Sequence, residues 1–141
     1  MRPGAIYCHD RFYRNSETGD LERKYLVFLT QTASGDWVSR LLTSQARARP
    51  EKPPCCHGNP YPGYFLGVPG SPLTLKTWVD LRALADIDPV KVGDLERSGV
   101  MAQVLQLPDD VLLAVLECVA GADDTTVQQE RALRDQLALL R

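Results

Sequence analysis

The hydrophobic and polar positions along the chain change period several times. Residues 5–8 (Ala-Ile-Tyr-Cys) form a short apolar run just after Pro3 and Gly4, which predicts a first strand close to the N-terminus. Residues 9–22 are polar and charged and read as a long exposed loop, with a turn at Thr18-Gly19-Asp20. Residues 24–30 (Lys-Tyr-Leu-Val-Phe-Leu-Thr) are continuously apolar inside their ends, the pattern of a strand buried on both faces. Turn residues at 33–36 lead into a second strand at 37–43, so the pair reads as a β-hairpin. Residues 73–81 alternate apolar and polar, predicting a half-buried strand, and residues 84–87 suggest another short one.

Helical signals follow. Asp88-Pro89 places a capping residue before a proline suited to the first helical position, predicting a short helix from Val90 towards Arg97. A stronger helix begins at Pro108-Asp109-Asp110, carries Val111, Leu112, Val115, Leu116 and Val119 on one face, and ends at Gly121. Thr126 and Gln129 have capping-box spacing, and Leu133, Leu137 and Leu140 make a narrow apolar stripe on a terminal helix. A narrow stripe calls for a docking surface, on this chain or on another.

Seven of the ten prolines fall between residues 50 and 72, which excludes a continuous helix there and leaves residues 64–66 as the only strand-like piece. The chain length of 141 residues suits one domain: residues 1–122 as its body, with a Pro-rich loop at 46–72, and residues 123–141 as a helical appendage. With 44% hydrophobic and 24% charged residues the composition is that of a folded protein. No membrane-span or signal-peptide pattern is apparent, so a cytoplasmic protein with no membrane partner and reduced thiols is expected.

The net charge of -2 conceals a split. Residues 1–53 hold nine Lys/Arg against six Asp/Glu, whereas residues 54–141 hold seven against twelve. The first half is the side a phosphate backbone tolerates.

In order and spacing, Gly4-Ala5-Ile6-Tyr7, Lys24-Tyr25-Leu26-Val27-Phe28, Leu42-Thr43-Ser44 and Thr77-Trp78-Val79-Asp80-Leu81, followed by Gly99 and the helix from Pro108, the chain resembles the MazF/PemK-like endoribonuclease family. The resemblance spans about residues 3–120 and implies a mostly β fold with helices, an SH3-like β-barrel to which this chain adds a C-terminal helix. It also implies a toxin-like, metal-independent endoribonuclease that cleaves single-stranded RNA, is often a homodimer and is held by an antitoxin protein. The family's catalytic threonine maps onto Thr43, with Ser44 beside it. Its Arg-Pro pair at the start of the second main strand is replaced by Lys24-Tyr25, or by Arg23 if the alignment slips by one. Lysine lacks the planar fork that grips phosphate in two places. That exchange supports an alternative: an inactive barrel serving as a protein-binding or RNA-binding module, with the Pro-rich loop and the terminal helix as contact surfaces.

The candidate catalytic residues are therefore Arg23, Lys24, Thr43 and Ser44. Arg40, Arg47, Arg49 and Lys52 form a basic stretch suited to a single-stranded backbone, with Tyr64, or else Tyr61 or Phe65, as a stacking surface. Cys55-Cys56-His57 contains metal-binding residue types, with Cys8-His9 as possible partners. Ligands adjacent in an extended chain point in different directions, so neither a metal site nor a cofactor is expected. His9-Asp10 reads as exposed loop polarity, and Cys118 as a small core residue.

Overall fold

The computed structural model describes residues 1–141. Its elements run β1 (Ala5–Arg14), β2 (Leu21–Gln31), β3 (Trp37–Thr43), β4 (Cys55–Cys56), β5 (Gly63–Gly67), β6 (Thr77–Asp80), α1 (Pro89–Arg97), β7 (Met101–Gln106), α2 (Asp109–Ala120) and α3 (Val127–Leu140). The strands form one seven-stranded antiparallel sheet in the order β4-β5-β6-β3-β2-β1-β7. The expected mixture of sheet and helices is present. The barrel is not closed: β4 and β7 are the two ends of the sheet, and no ladder joins them. Beside β4, Pro53, Pro54, Pro60 and Pro62 have no N–H to donate, so that edge is poorly equipped to pair further.

The continuous apolar run of β2 has a direct cause. Leu26 and Phe28 point into a smaller cluster with Ala5, Tyr7, Trp37, Val92 and Met101, while Val27 and Leu29 point into a larger one. Alternate side chains of a strand face opposite sides of the sheet. Both sides are therefore core, α1 covering the smaller cluster and α2 with α3 covering the larger. Asp88 caps α1 by accepting a hydrogen bond from Val90 N at 2.7 Å, and Tyr7 OH donates to Glu96 across the same face at 3.2 Å. Burial and the neighbouring Glu96 carboxylate push the Tyr7 phenol up to about 12. No helix is long and apolar enough to cross a membrane.

Three expectations change, and one strand was not anticipated. The polar stretch at residues 9–22 is mostly strand: β1 extends to Arg14, and only a tight connection remains, in which Asn15 Oδ1 accepts from Glu17 N and Thr18 N at 2.8 and 3.2 Å. Its polarity reflects exposure of the outer halves of β1 and β2 rather than a loop. The alternating stretch at 73–81 is strand only over Thr77–Asp80, and of residues 84–87 only Ile87 pairs, with Trp37. Met101–Gln106 lacks clean alternation yet forms β7 against β1, with a register shift between Ile6 and Tyr7. Finally, α3 is not an appendage. Its capping box at Thr126 and Gln129 forms as expected, and Leu133 and Leu137 sit inside the larger core with α2, with Leu140 packed against it. The stripe docks on its own chain, as part of one hydrophobic core.

Leu133 has no exposed surface. Leu133→Ala is expected to lower the unfolding free energy by about 3 kcal/mol in urea melts, as for a filled core position, whereas a dispensable appendage would leave the melt unchanged.

Candidate functional site

The start of β2 and the end of β3 are neighbours in the antiparallel ladder, since Tyr25 pairs with Leu42. That pairing brings all four candidate catalytic residues together. Arg23, Lys24, Thr43 and Ser44 line one cavity of about 310 Å³, closed on its far side by residues 72–75 and Thr77. A second cavity of about 180 Å³ shares Lys24, Leu42, Thr43 and Gln45 with the first and adds Arg47, Arg49, Tyr61, Asp80 and Arg82. By strand alternation Lys24 lies on the same face as Leu26, and Thr43 on the same face as Leu41. The site thus begins where the smaller apolar cluster runs out.

The charged groups of the second cavity are four cations and one carboxylate. The guanidinium carbons of Arg47, Arg49 and Arg82 stand 5.0, 5.4 and 5.2 Å from the centre of the Tyr61 ring. Arg82 grips Asp80 through two nitrogens, with Nη2 at 2.6 Å from Oδ2 and Nε at 3.0 Å from Oδ1. Arg49 Nη2 lies 3.6 Å from the same carboxylate, too far for a hydrogen bond, and has no other acceptor. Burial alone would raise the Asp80 carboxyl, but hydrogen bonds from Arg82 and the charges of Arg82 and Arg49 hold it below its usual value. The Arg49 guanidinium is pushed down by burial and drawn back up by Asp80.

Arg49 is positioned by the backbone around it. Its Nε donates to Pro62 O at 3.3 Å and its Nη1 to Gln45 O at 2.9 Å. Gly63 makes room, because a Cβ there would lie 2.6 Å from Arg49 Cδ. The turn before it is strained: Arg47 and Ala48 have φ of 45° and 64°, a region that side chains other than glycine enter at a cost. Arg49 N closes the turn by donating to Ala46 O at 2.7 Å.

The remaining groups differ in how free they are. Arg23 is exposed and paired with Asp10 at 2.9 Å. Lys24 Nζ lies over the Tyr13 ring at 5.3 Å, and neither Lys24 nor Arg47 has a carboxylate partner. Thr43 Oγ1 accepts from Gln45 N at 3.1 Å, which leaves its own proton to donate. Ser44 is exposed.

Four residues of the basic and aromatic set, Arg40, Lys52, Tyr64 and Phe65, line neither cavity, Phe65 packing against Trp78 instead. Arg40 has no exposed surface, so it cannot follow a nucleic-acid backbone. It lies two residues from both Val38 and Leu42, which face the larger core, and alternation carries it inward. There it donates to Ser39 O at 2.8 Å and to Gln129 Oε1 at 3.2 Å. Burial pushes its guanidinium down, against the raising charges of Asp86, Asp124 and Asp80. Tyr64 packs against the larger core, and Lys52 is exposed on the Pro-rich loop without lining either cavity. Tyr61, one of the alternative stacking residues, takes the place expected of Tyr64, and Asp80 and Arg82 are central although the sequence pattern does not place them there. The only local signal is the Asp80-x-Arg82 spacing at a strand end.

The cysteines also depart from expectation. Cys55 and Cys118 are joined by a disulfide, while Cys8 and Cys56 are free thiols. A larger hollow of about 620 Å³ between the N-terminus and α3 holds Arg2, Arg131 and Asp135 but no convergent set of reactive groups.

Compared with known proteins, the chain matches no protein-family model, no curated protein and no solved structure.

Because the folded Asp80 carboxyl lies below its unfolded value, the unfolded chain takes up the proton first as the pH falls. Its stabilisation is complete above the ordinary carboxylate range, about pH 4, and is lost as the pH drops through the folded value. Asp80→Asn should therefore cost about 2 kcal/mol at neutral pH, with the deficit narrowing in melts below about pH 4. A deficit independent of pH would show that the Asp80 charge does not hold the arginines.

Proposed function

We propose that the cleft at the β2–β3 end binds the backbone of single-stranded RNA and cleaves it with side chains alone, in the manner of the MazF/PemK-like endoribonucleases that the chain resembles. The observation that carries this reading is the convergence of Lys24, Thr43, Arg47, Arg49 and Arg82 about Tyr61. Cleavage at a ribose 2′-hydroxyl builds negative charge on the phosphate, and preorganised donors lower that barrier. Lys24, which has no carboxylate partner, Arg47, held by Gln45 and Tyr61 with its charge uncompensated, and the free proton of Thr43 are donors of that kind, while the buried Arg49 adds its charge from beneath. Tyr61 and the arginine stack offer a surface for an unstacked base. Arg23, bound to Asp10, and the exposed Ser44 flank the path by which a strand enters. The family reading adds an antitoxin partner, a homodimer and action in the cytoplasm.

One observation favours binding without cleavage. Neither histidine lines the cleft: His9 is in β1 and His57 lies beside Cys118, so no imidazole is on hand to move protons. In that reading the same cations hold RNA and leave it intact.

Purified protein mixed with end-labelled single-stranded RNA, without added metal, tests the proposal. Cuts ending in 2′,3′-cyclic phosphates are expected, slowed ~10²-fold or more by Thr43→Ala with the melting temperature unchanged. Intact RNA under saturating protein rejects the nuclease. Arg47→Ala should weaken binding and reduce the slope of log affinity against log salt by about 0.7, the loss of one phosphate contact on a single strand, whereas Lys52→Ala should leave both unchanged.

A further inference from the structure

Cys55, His57 and Cys118 come together outside the cleft, lining neither of its cavities. Cys55 is in β4, His57 follows it by two residues, and Cys118 is in the last turn of α2, yet their donor atoms all lie within 4.8 Å of one another. His57 Nε2 stands 3.3 Å from Cys55 Sγ, 3.7 Å from Cys118 Sγ and 2.9 Å from Cys118 O. A disulfide is chemically complete with its two sulfurs and gains no bond from an imidazole set against both. Room for that ring depends on Gly121, where a Cβ would stand 3.3 Å from His57 Cε1.

We propose that the reduced form of this cluster is a metal site for zinc or a cation of similar softness, with Cys55 Sγ, Cys118 Sγ and His57 Nε2 as ligands and a fourth position open to water. Two thiolates and an imidazole are the donors that zinc prefers. Bonds of about 2.3 Å to sulfur and 2.0 Å to nitrogen, at tetrahedral angles, place sulfur and nitrogen about 3.5 Å apart. The two sulfur–nitrogen distances already present, 3.3 and 3.7 Å, bracket that value. The sulfurs must part to admit the ion. Cys55 is only partly buried on a two-residue edge strand, so its side chain can turn, while Cys118 is fixed in the core. An ion enters from the solvent side, where His57 is exposed.

The chemistry balances in two steps. A thiol or phosphine reductant supplies two electrons, and with two protons the Cys55–Cys118 bond becomes two thiols. Binding of the divalent cation then releases both thiol protons, and His57 gives up its hydrogen bond to Cys118 O, shifting to the tautomer with its proton on Nδ1 so that Nε2 ligates. The oxidised and the metal-bound forms each tether β4 to α2. The reduced, metal-free form has neither covalent nor metal tether between β4 and α2.

Full-length protein, reduced with a phosphine and freed of excess reductant, is titrated with zinc and separately with cobalt. One ion per chain is expected, with a rise in melting temperature over the reduced apo form and, for cobalt, thiolate charge-transfer and tetrahedral visible absorption. His57→Ala and Cys55→Ser alter residues at the surface end of the cluster and leave the core Cys118 in place. Both are expected to abolish the cobalt spectrum and the thermal shift, while Cys8→Ser retains them. No stoichiometric ion in the reduced wild type, or an unchanged spectrum in either cluster variant, overturns the proposal. The readout is independent of RNA cleavage, so the two proposals fail separately.

Discussion

Burial of β2 on both faces is the constraint from which the rest of the structure follows. A strand whose successive residues Leu26, Val27, Phe28 and Leu29 are all fully buried must have a core on each side of its sheet. The chain meets that demand with α1 over one face and the α2–α3 pair over the other, and so the terminal helix cannot be spared. The arrangement also explains why one strand can carry residues of opposite fate. On β3, Arg40 turns into the larger core and Thr43 towards the cleft, because alternation sends positions three apart to opposite faces.

The cleft is what remains where the apolar layer under α1 ends. At that margin the apolar side chains give way to Lys24, Thr43 and Asp80, and the chain after β3 folds back to add Arg47, Arg49 and Tyr61. Asp80 has the organising role. One buried carboxylate against two guanidinium groups neutralises part of their repulsion and holds them beside Tyr61, leaving a surplus of positive charge facing solvent. The strained turn at Arg47 and Ala48 persists because Arg49 is pinned at several points by backbone carbonyls. A local cost is thus met by contacts elsewhere in the same loop.

The Pro-rich segment is long but not loose. It is fastened to the cleft through Arg49 and Trp78, whose Nε1 donates to Pro50 O at 3.2 Å, and to α2 through Cys55 and His57. Any event that changes the cysteine cluster therefore acts on the same segment that carries Tyr61. That link is geometric, since residues 49–63 run from one fastening to the other.

Signals of short range in the sequence were legible. The double-faced strand at 24–30, the hairpin to 37–43, the Asp88-Pro89 start of α1 and the capping box of α3 depend on neighbours two to four residues apart, and the folded chain contains each. The nearness of Arg23, Lys24, Thr43 and Ser44 could also be anticipated, because a hairpin places the start of one strand beside the end of the next. The open sheet, β7 beside β1, the docking of α3 and the meeting of Cys55 with Cys118 were decided by the tertiary structure alone. So was the gathering of Arg82 and Asp80 around Tyr61. These contacts join residues tens of positions apart, and no local period records which distant surface a side chain will meet. Arg40 lies between the two cases: the alternation that buries it is written in β3, but its polar partners come from α3 and the turn before it, brought near only by folding.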